Sequence, residues 1–353
     1  MVTGPSPTTG PAPASIDRRP APTFDVVVPT VGRERLPGLL WVLCHALPDG
    51  ADIVVVDDRP SDAEPLDPGI PDSRVRVVTS GGRGPAAARN VGWRATTAEW
   101  VAFVDDDVEP PLGWVRALVD DLSRAAPDVA AVQGRVEVPL PSSRPPTDWE
   151  RNVAGLDGAT WITADMAVRR AALEQVGGFD ERFARAYRED TDLALRLLDA
   201  GWRLSVGERR MRHPVRRAPW WVSVALQRGN ADDVLLERLH GRDWRRRLDA
   251  EHGASSSYPL TIALGGAALG ALVAGRRRVA AAAGAAWALR TTRFWWARTA
   301  PGPRRPGEVA AMAATSVAIP PVACYHRLRG VVRWRGPRAR PLVSAAGDRR
   351  SSS

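Results

Sequence analysis

Two apolar runs in the first third of the chain end abruptly in acid. Ala51–Asp58 (ADIVVVDD) and Trp100–Asp107 (WVAFVDDD) each read as a strand buried on both faces that stops at carboxylates. Two further apolar runs, Phe24–Pro29 (FDVVVP) and Arg74–Thr79 (RVRVVT), share the pattern without the full acidic ending. Between and after them lie segments of helical spacing at 34–47, 85–95 and 111–125, followed by a strand at 129–138. Continuous apolar strands alternating with helices predict an α/β fold, a mostly parallel sheet flanked by helices. Such sheets bind ligands beyond the carboxyl ends of their strands, where Asp57, Asp58 and Asp105–Asp107 fall.

Downstream, 141–159 is rich in Pro, Ser and Gly and reads as a loop. Residues 161–204 carry a strand, a helix from about Arg170, and a second helix over Thr191–Ala200 closed by Gly201 at its C′ position. Apolar stretches follow at 259–275, 279–297 and 309–325, the last broken by Pro320-Pro321. The arm 1–22 and the tail 341–353 have the composition of disordered segments, and the arm lacks the apolar core of a secretion signal. The expected division is an arm (1–22), a catalytic domain (23–250), a basic helical region (251–340) and a tail (341–353).

Composition removes several chemistries. All 49 basic residues are arginine, so no phosphate-loop lysine, Schiff-base amine or kinase strand lysine exists. No Gly-x-Ser-x-Gly elbow or His-Glu-x-x-His pair occurs. Cys44 and Cys324 form neither a zinc spacing nor a disulfide framework, which suits a reducing cytoplasm.

Several clusters remain as carriers of chemistry. Three carboxylates at Asp105–Asp107 repel one another unless a cation sits beside them; a divalent ion with phosphate oxygens would serve, and so would a helix cap. Asp58 can accept from a base or ribose. Gly82-x-Gly84-x-x-Ala87 matches a dinucleotide fingerprint, which keeps a Rossmann-type NAD(P) oxidoreductase open as an alternative. Glu189 and Asp190 start a helix, where the dipole favours carboxylates. A carboxylate there can act as a general base if burial raises its pKa.

In order and spacing, the set FDVVVPT, IVVVDD, GPAAARNVG, FVDDD, TADMAVRR with VGGFDERF, and REDTDLALRLLDAGWRL resembles the family 2 glycosyltransferases of GT-A fold, over about 24–240. The resemblance implies a nucleotide-sugar donor, a hydroxyl acceptor, a Mg²⁺ or Mn²⁺ cofactor and inversion. It places Pro29, Thr30, Asp58, Arg89 and Asp105 on the donor nucleotide, Asp107 and His213 on the metal, and Asp190 as the general base beside Glu189. Asp165 stands where relatives carry a small residue or Asn, and is expected against the acceptor or the sugar. No Gln-x-x-Arg-Trp signature follows residue 220, which implies transfer of single sugars. A catalytically inactive binding protein of the same fold is the remaining alternative.

From Glu251 onward there are 16 Arg against 3 acids, whereas residues 1–250 carry 33 against 37. Apolar stretches with Trp287, Phe294, Trp295 and Trp296 beside arginines suit a membrane interface. The 17 residues of 259–275 are short for a span, and an ordinary packed helical subdomain competes with attachment. Attachment to the cytoplasmic face of a membrane is the expectation. Long apolar runs between the arginines, with no recognisable RNA- or DNA-binding fold, argue against nucleic acid.

Overall fold

The structure, a computed structural model, describes residues 21–248 and 257–336. Residues 1–20 of the expected arm and the whole of the expected tail 341–353 lie outside the described residues.

The apolar runs become strands with little change of boundary. They are β1 (Phe24–Thr30), β2 (Ile53–Asp57), β3 (Val75–Thr79), β4 (Trp100–Val104) and β5 (Val129–Glu137), joined by β6 (Asp165–Arg169) and β7 (Arg203–Arg212). They form one seven-stranded sheet in the order β3-β2-β1-β4-β6-β5-β7. Only β6 runs against its neighbours; every other pairing is parallel. The expected α/β class is therefore present. β7 was not anticipated, because its alternation of exposed and buried arginines hides the apolar signal of a strand.

Alternate residues of β1 face opposite layers. Val26 and Val28 pack with Leu36, Leu40 and Leu43 of α1 (Leu36–Ala46) and with Trp114 and Leu118 of α3 (Trp114–Arg124). Val27 packs on the other face with Ala86, Ala88 and Trp93 of α2 (Pro85–Ala95). The segment expected as a loop at 141–159 contains a short helix, α4 (Asp148–Ala154). Its Thr147 and Glu150 form a complete capping box, a local signal that outweighs the surrounding Pro and Ser. α5 (Arg170–Val176) and α6 (Glu189–Asp199) follow, and Gly201 closes α6 at φ +87°. After β7 come α7 (Val222–Ala225), α8 (Asn230–His240) and α9 (Trp244–Arg247); Leu235, Leu236 and Trp244 close a third core with Phe183 and Leu195.

Three helices complete the chain: α10 (Tyr258–Val273), α11 (Arg277–Thr299) and α12 (Pro306–Arg333). The prolines expected to break the third apolar stretch lie inside α12, which runs on through them. Each removes a ladder bond, but packing on the body decides: Gly330 meets the backbone of Ala231, and Arg327 pairs with Glu237. α12 is also the described helix long and apolar enough to cross a membrane by length and composition. The stretch expected as a candidate span forms α10, whose 16 residues reach only about 24 Å.

The sheet's edge geometry aligns the site. Parallel register sets Thr30 beside Asp57 on one side, and pairs β1 with β4 on the other. The ends of β1, β2 and β4 therefore lie at one rim. α2 approaches that sheet closely because Gly92 has no side chain: a Cβ there would lie 2.3 Å from Val27 Cγ1. Gly92→Ala should destabilise the protein by about 1–3 kcal/mol in a denaturant titration, through overpacking at the α2–β1 contact.

Candidate active site

Beyond the rim opens a cavity of about 870 Å³, a size suited to a nucleotide sugar. Pro29, Thr30, Asp58, Arg89, Asp105, Asp107, Glu189, Asp190 and His213 all line it. One residue expected there does not: Asp165.

The three consecutive acids after β4 face three different arginines. Arg89 Nη2 donates to Asp105 Oδ1 at 2.9 Å. Arg33 Nε and the Thr30 hydroxyl donate to the two oxygens of Asp106, at 2.7 and 2.6 Å. Arg216 Nε lies 2.9 Å from Asp107 Oδ2. Asp106 thus anchors the loop, and burial pushes its pKa upward against the pull of Thr30 and Arg33. Thr30 lines the cavity, but its hydroxyl is committed to Asp106 and accepts from the Gly32 amide.

Asp58 is held from behind. The Gly84 amide and the Ser80 hydroxyl donate to it, at 3.0 and 2.7 Å. The glycine-rich turn therefore positions Asp58. Gly84 sits at φ +95°, and a Cβ would lie 2.4 Å from the Ala184 carbonyl oxygen. This placement removes the basis for a dinucleotide fingerprint. That motif follows the first strand of its sheet, whereas this turn follows β3 at the sheet edge and its Gly84 amide is already bound to Asp58. Asp57, the other acid of β2, pairs with Arg59.

Arg89 is buried and joins two elements: Nη1 donates to Glu189 Oε1 and Nη2 to Asp105, each at 2.9 Å. It was expected near the donor diphosphate; both Nη groups instead face carboxylates. Glu189, 2% exposed, keeps Oε2 without a partner. Burial, reinforced by the neighbouring charge of Asp190 and opposed by Arg89, pushes its pKa up to about 8. Burial also raises the Asp190 carboxyl, against the Thr191 amide, Arg89 and Arg188.

Asp107 Oδ1 lies 3.6 Å from His213 Nε2, and the buried His213 Nδ1 has no partner. That separation is long for a hydrogen bond. Two metal–ligand legs of about 2.1 Å meeting at right angles or wider place their donors roughly 3–3.6 Å apart, so a carboxylate and an imidazole here fit a shared divalent cation. Among the described residues no three His, Cys, Asp or Glu side chains converge to hold an ion alone. The remaining ligands would have to be phosphate oxygens and water, the usual habit of Mg²⁺.

Asp165 is a correction. It is 1% exposed, its Oδ1 accepts from Arg209 and its Oδ2 from the Trp114 indole, at 2.8 and 3.0 Å. Arg209 also reaches Asp121 at 3.1 Å. Gly134 makes room for this pair, since a Cβ there would lie 2.0 Å from Asp165 Oδ2. Asp165 is a core ion-pair partner, not an acceptor contact.

The structure adds lining residues that were not singled out. Arg216 lies three residues beyond His213, in the run His213-Pro214-Val215-Arg216. Arg188, at φ +76° just before α6, holds Asp233 and stacks over Tyr187 and Trp244. Trp149 of α4 and Tyr258 of α10 reach the cavity from segments whose composition gave no such signal.

Against known proteins, residues 25–188 match the sequence profile of Glycosyl transferase family 2. The chain is 36% identical over 135 residues to the "Pre-mycofactocin glycosyltransferase" of Mycobacterium tuberculosis (strain CDC 1551 / Oshkosh), covering 35% of this chain and 28% of that protein. It is 37% identical over 81 residues to the "Succinoglycan biosynthesis protein ExoO" of Rhizobium meliloti (strain 1021), covering 22% and 23% respectively. The chain thus spans about a quarter of the length of these curated relatives. A crystal structure of glucosyl-3-phosphoglycerate synthase from Mycobacterium tuberculosis with Mn²⁺, UDP and phosphoglyceric acid aligns at TM-score 0.43 and 17% identity, over 62% of this chain and 78% of that one.

Two outcomes follow from the geometry. Because the Glu189 pKa stands above its ordinary 4.5, the folded protein holds a proton that the unfolded chain releases. Stability should therefore fall as pH rises from about 4.5 to about 8, and Glu189→Gln should flatten that fall in denaturant midpoints. Asp165→Asn should weaken the buried pair with Arg209 and lower the melting temperature, while nucleotide affinity in calorimetry stays unchanged.

Proposed function

We propose that this chain transfers a single sugar from a nucleoside diphosphate donor to a hydroxyl acceptor, with inversion at the anomeric carbon. The observation that carries the reading is the joint placement of Asp58, Asp105, Asp107 and Asp190 around one cavity, the first three of them within the family-matched residues 25–188. Asp58, fixed by the Gly84 amide, accepts from the base or ribose of the donor. Asp105, braced by Arg89, faces the ribose side.

Asp107 and His213 would hold Mg²⁺ or Mn²⁺, which supplies charge stabilisation to the departing diphosphate. Arg216 keeps Asp107 oriented and adds a fixed positive charge beside the phosphates. Asp190 takes the proton of the acceptor hydroxyl as its oxygen bonds to the anomeric carbon. Its elevated pKa suits that role, because a base poised nearer neutrality binds the proton more firmly during transfer. Glu189, with its pKa about 8, is largely protonated at neutral pH and so does not add a second charge beside Asp190. We place this activity in the cytoplasm at a membrane surface, with residues 23–250 as the catalytic domain and 251–340 as the attachment region.

Calorimetric titration with UDP, GDP, dTDP and ADP, each with and without Mn²⁺, tests the reading. One nucleoside diphosphate should bind in a manganese-dependent manner. Asp107→Asn should remove the manganese dependence; an unchanged response would overturn the metal assignment. Asp190→Asn should keep donor binding and lower the transfer rate by about 10²–10⁴-fold, the usual worth of a general base. Near-normal turnover in that variant would remove Asp190 from the role.

A further inference from the structure

The strongest feature outside the catalytic cluster is the hairpin of α10 and α11. The two helices pack tightly through small residues: Gly265 lies against Trp287, and Gly284 against Ala268. Yet α10 is apolar on every side while Thr261 is its one buried residue. Leu269, Leu272 and Val273 are 68, 61 and 90% exposed. A helix docking on another protein carries one apolar stripe and one polar face; a helix apolar all round belongs inside a core or a bilayer.

Charge points the same way. Between Ser257 and Thr299 there are six arginines and no acid. Arg276, Arg277 and Arg278 stand together at the hairpin's turn. At the opposite end, Arg290 ties the hairpin's base together, donating to Thr261 Oγ1 and the Ser257 carbonyl.

That base is fixed to the mouth of the catalytic cavity. Tyr258, the first residue of α10, lines the cavity and meets Phe294 ring to ring at 5.7 Å. Arg298 of α11 holds Asp148 of α4 at 2.6 Å, Ser223 of α7 at 3.0 Å, and Thr315 and Ser316 of α12. Around this junction Trp220 and Trp221 are exposed, and so is Leu226, which also lines the cavity. Indole rings beside a polar opening have the character of residues at a membrane–water boundary.

We propose that the α10–α11 hairpin beds in an anionic lipid bilayer, and that the acceptor is a lipid whose hydroxyl is presented there to the cavity mouth. This rests on the glycosyl-transfer reading above and names its substrate class. In the transfer, the lipid hydroxyl oxygen bonds to the anomeric carbon as that carbon's bond to the diphosphate oxygen breaks. The hydroxyl proton passes to Asp190, and the nucleoside diphosphate leaves with the bonding electron pair.

Flotation of the full chain with vesicles of phosphatidylcholine, alone and mixed with phosphatidylglycerol, tests the docking. Binding should require phosphatidylglycerol. Replacing Arg276, Arg277 and Arg278 with Gln should weaken it by about a hundredfold, at roughly fivefold per arginine. Leu269→Glu with Leu272→Glu should abolish it while manganese-dependent nucleotide binding, measured on the same sample, is retained. In a transfer assay, label from the donor should enter vesicles doped with diacylglycerol or a glycosyl diacylglycerol. Glycerol and methyl glucoside in solution should accept far less.

Failure to float, flotation unaltered by the paired glutamates, or equal transfer to the soluble acceptors would overturn the proposal. A dimer in solution that the same substitutions dissolve would overturn it in favour of self-association. If nucleotide binding survives such a failure, glycosyl transfer stands and only the lipid acceptor falls. If no nucleoside diphosphate binds at all, the functional reading itself has failed.

Discussion

Three carboxylates on consecutive residues at the end of a buried strand repel one another strongly in a low dielectric. Here each one points to a different guanidinium. Asp105 meets Arg89 from α2, Asp106 meets Arg33 from the loop after β1, and Asp107 meets Arg216 from the segment after β7. The β4 loop is thereby tied to three separate parts of the chain, and the site's shape depends on that distribution. Asp106, doubly held by Thr30 and Arg33, is the anchor. Asp105 and Asp107 flank it along the cavity wall. All three line the cavity, but Asp106 carries two side-chain donors that fix the loop.

The same logic separates what could be read in the chain from what could not. The strands of the parallel core were legible because both faces are buried, so Val26–Val28, Val54–Val56 and Val101–Val104 show unbroken apolar runs. The helix at Pro85–Ala95 was legible for a complementary reason. Its Ala-rich face and Gly92 are what a helix needs to lie close on a sheet. β7 was hidden because charged residues interrupt its pattern, and Arg209 at its centre is paired inside the core rather than exposed. Asp165 misled because a buried acid with a distant partner looks, in one dimension, like a site residue. Its partner Arg209 lies 44 positions away, and nothing local announces the pairing. Likewise α12 runs through two prolines because contacts to α8 outweigh local propensity.

Arg89 shows how one guanidinium can join two parts of a site. Its position in the Gly-Pro-Ala-Ala-Ala-Arg segment suggested phosphate. In the fold it lines the cavity, bridging Asp105 after β4 to Glu189 at the start of α6. It therefore couples the loop after β4 to the acid pair at the start of α6. A lysine could not span the two with separate donors in a fixed plane; a guanidinium can. The chain's exclusive use of arginine is consistent with this, whatever its origin, because the site repeatedly asks one cation to serve two acceptors.

The pair at the start of α6 then follows from charge balance. Glu189 and Asp190 are adjacent, buried to different degrees, and share one nearby cation. Arg89 cannot fully compensate both, since it also serves Asp105. Burial falls hardest on Glu189, whose Oε2 has no partner, and its pKa rises to about 8. Asp190, at the cavity wall, is also raised by burial, against the pull of the Thr191 amide, Arg89 and Arg188. Burial raises both carboxyls, but their surroundings differ: Glu189 leaves one oxygen without a partner, whereas Asp190 has the Thr191 amide. Both residues line the cavity, which reaches Tyr258 at the base of the apolar hairpin.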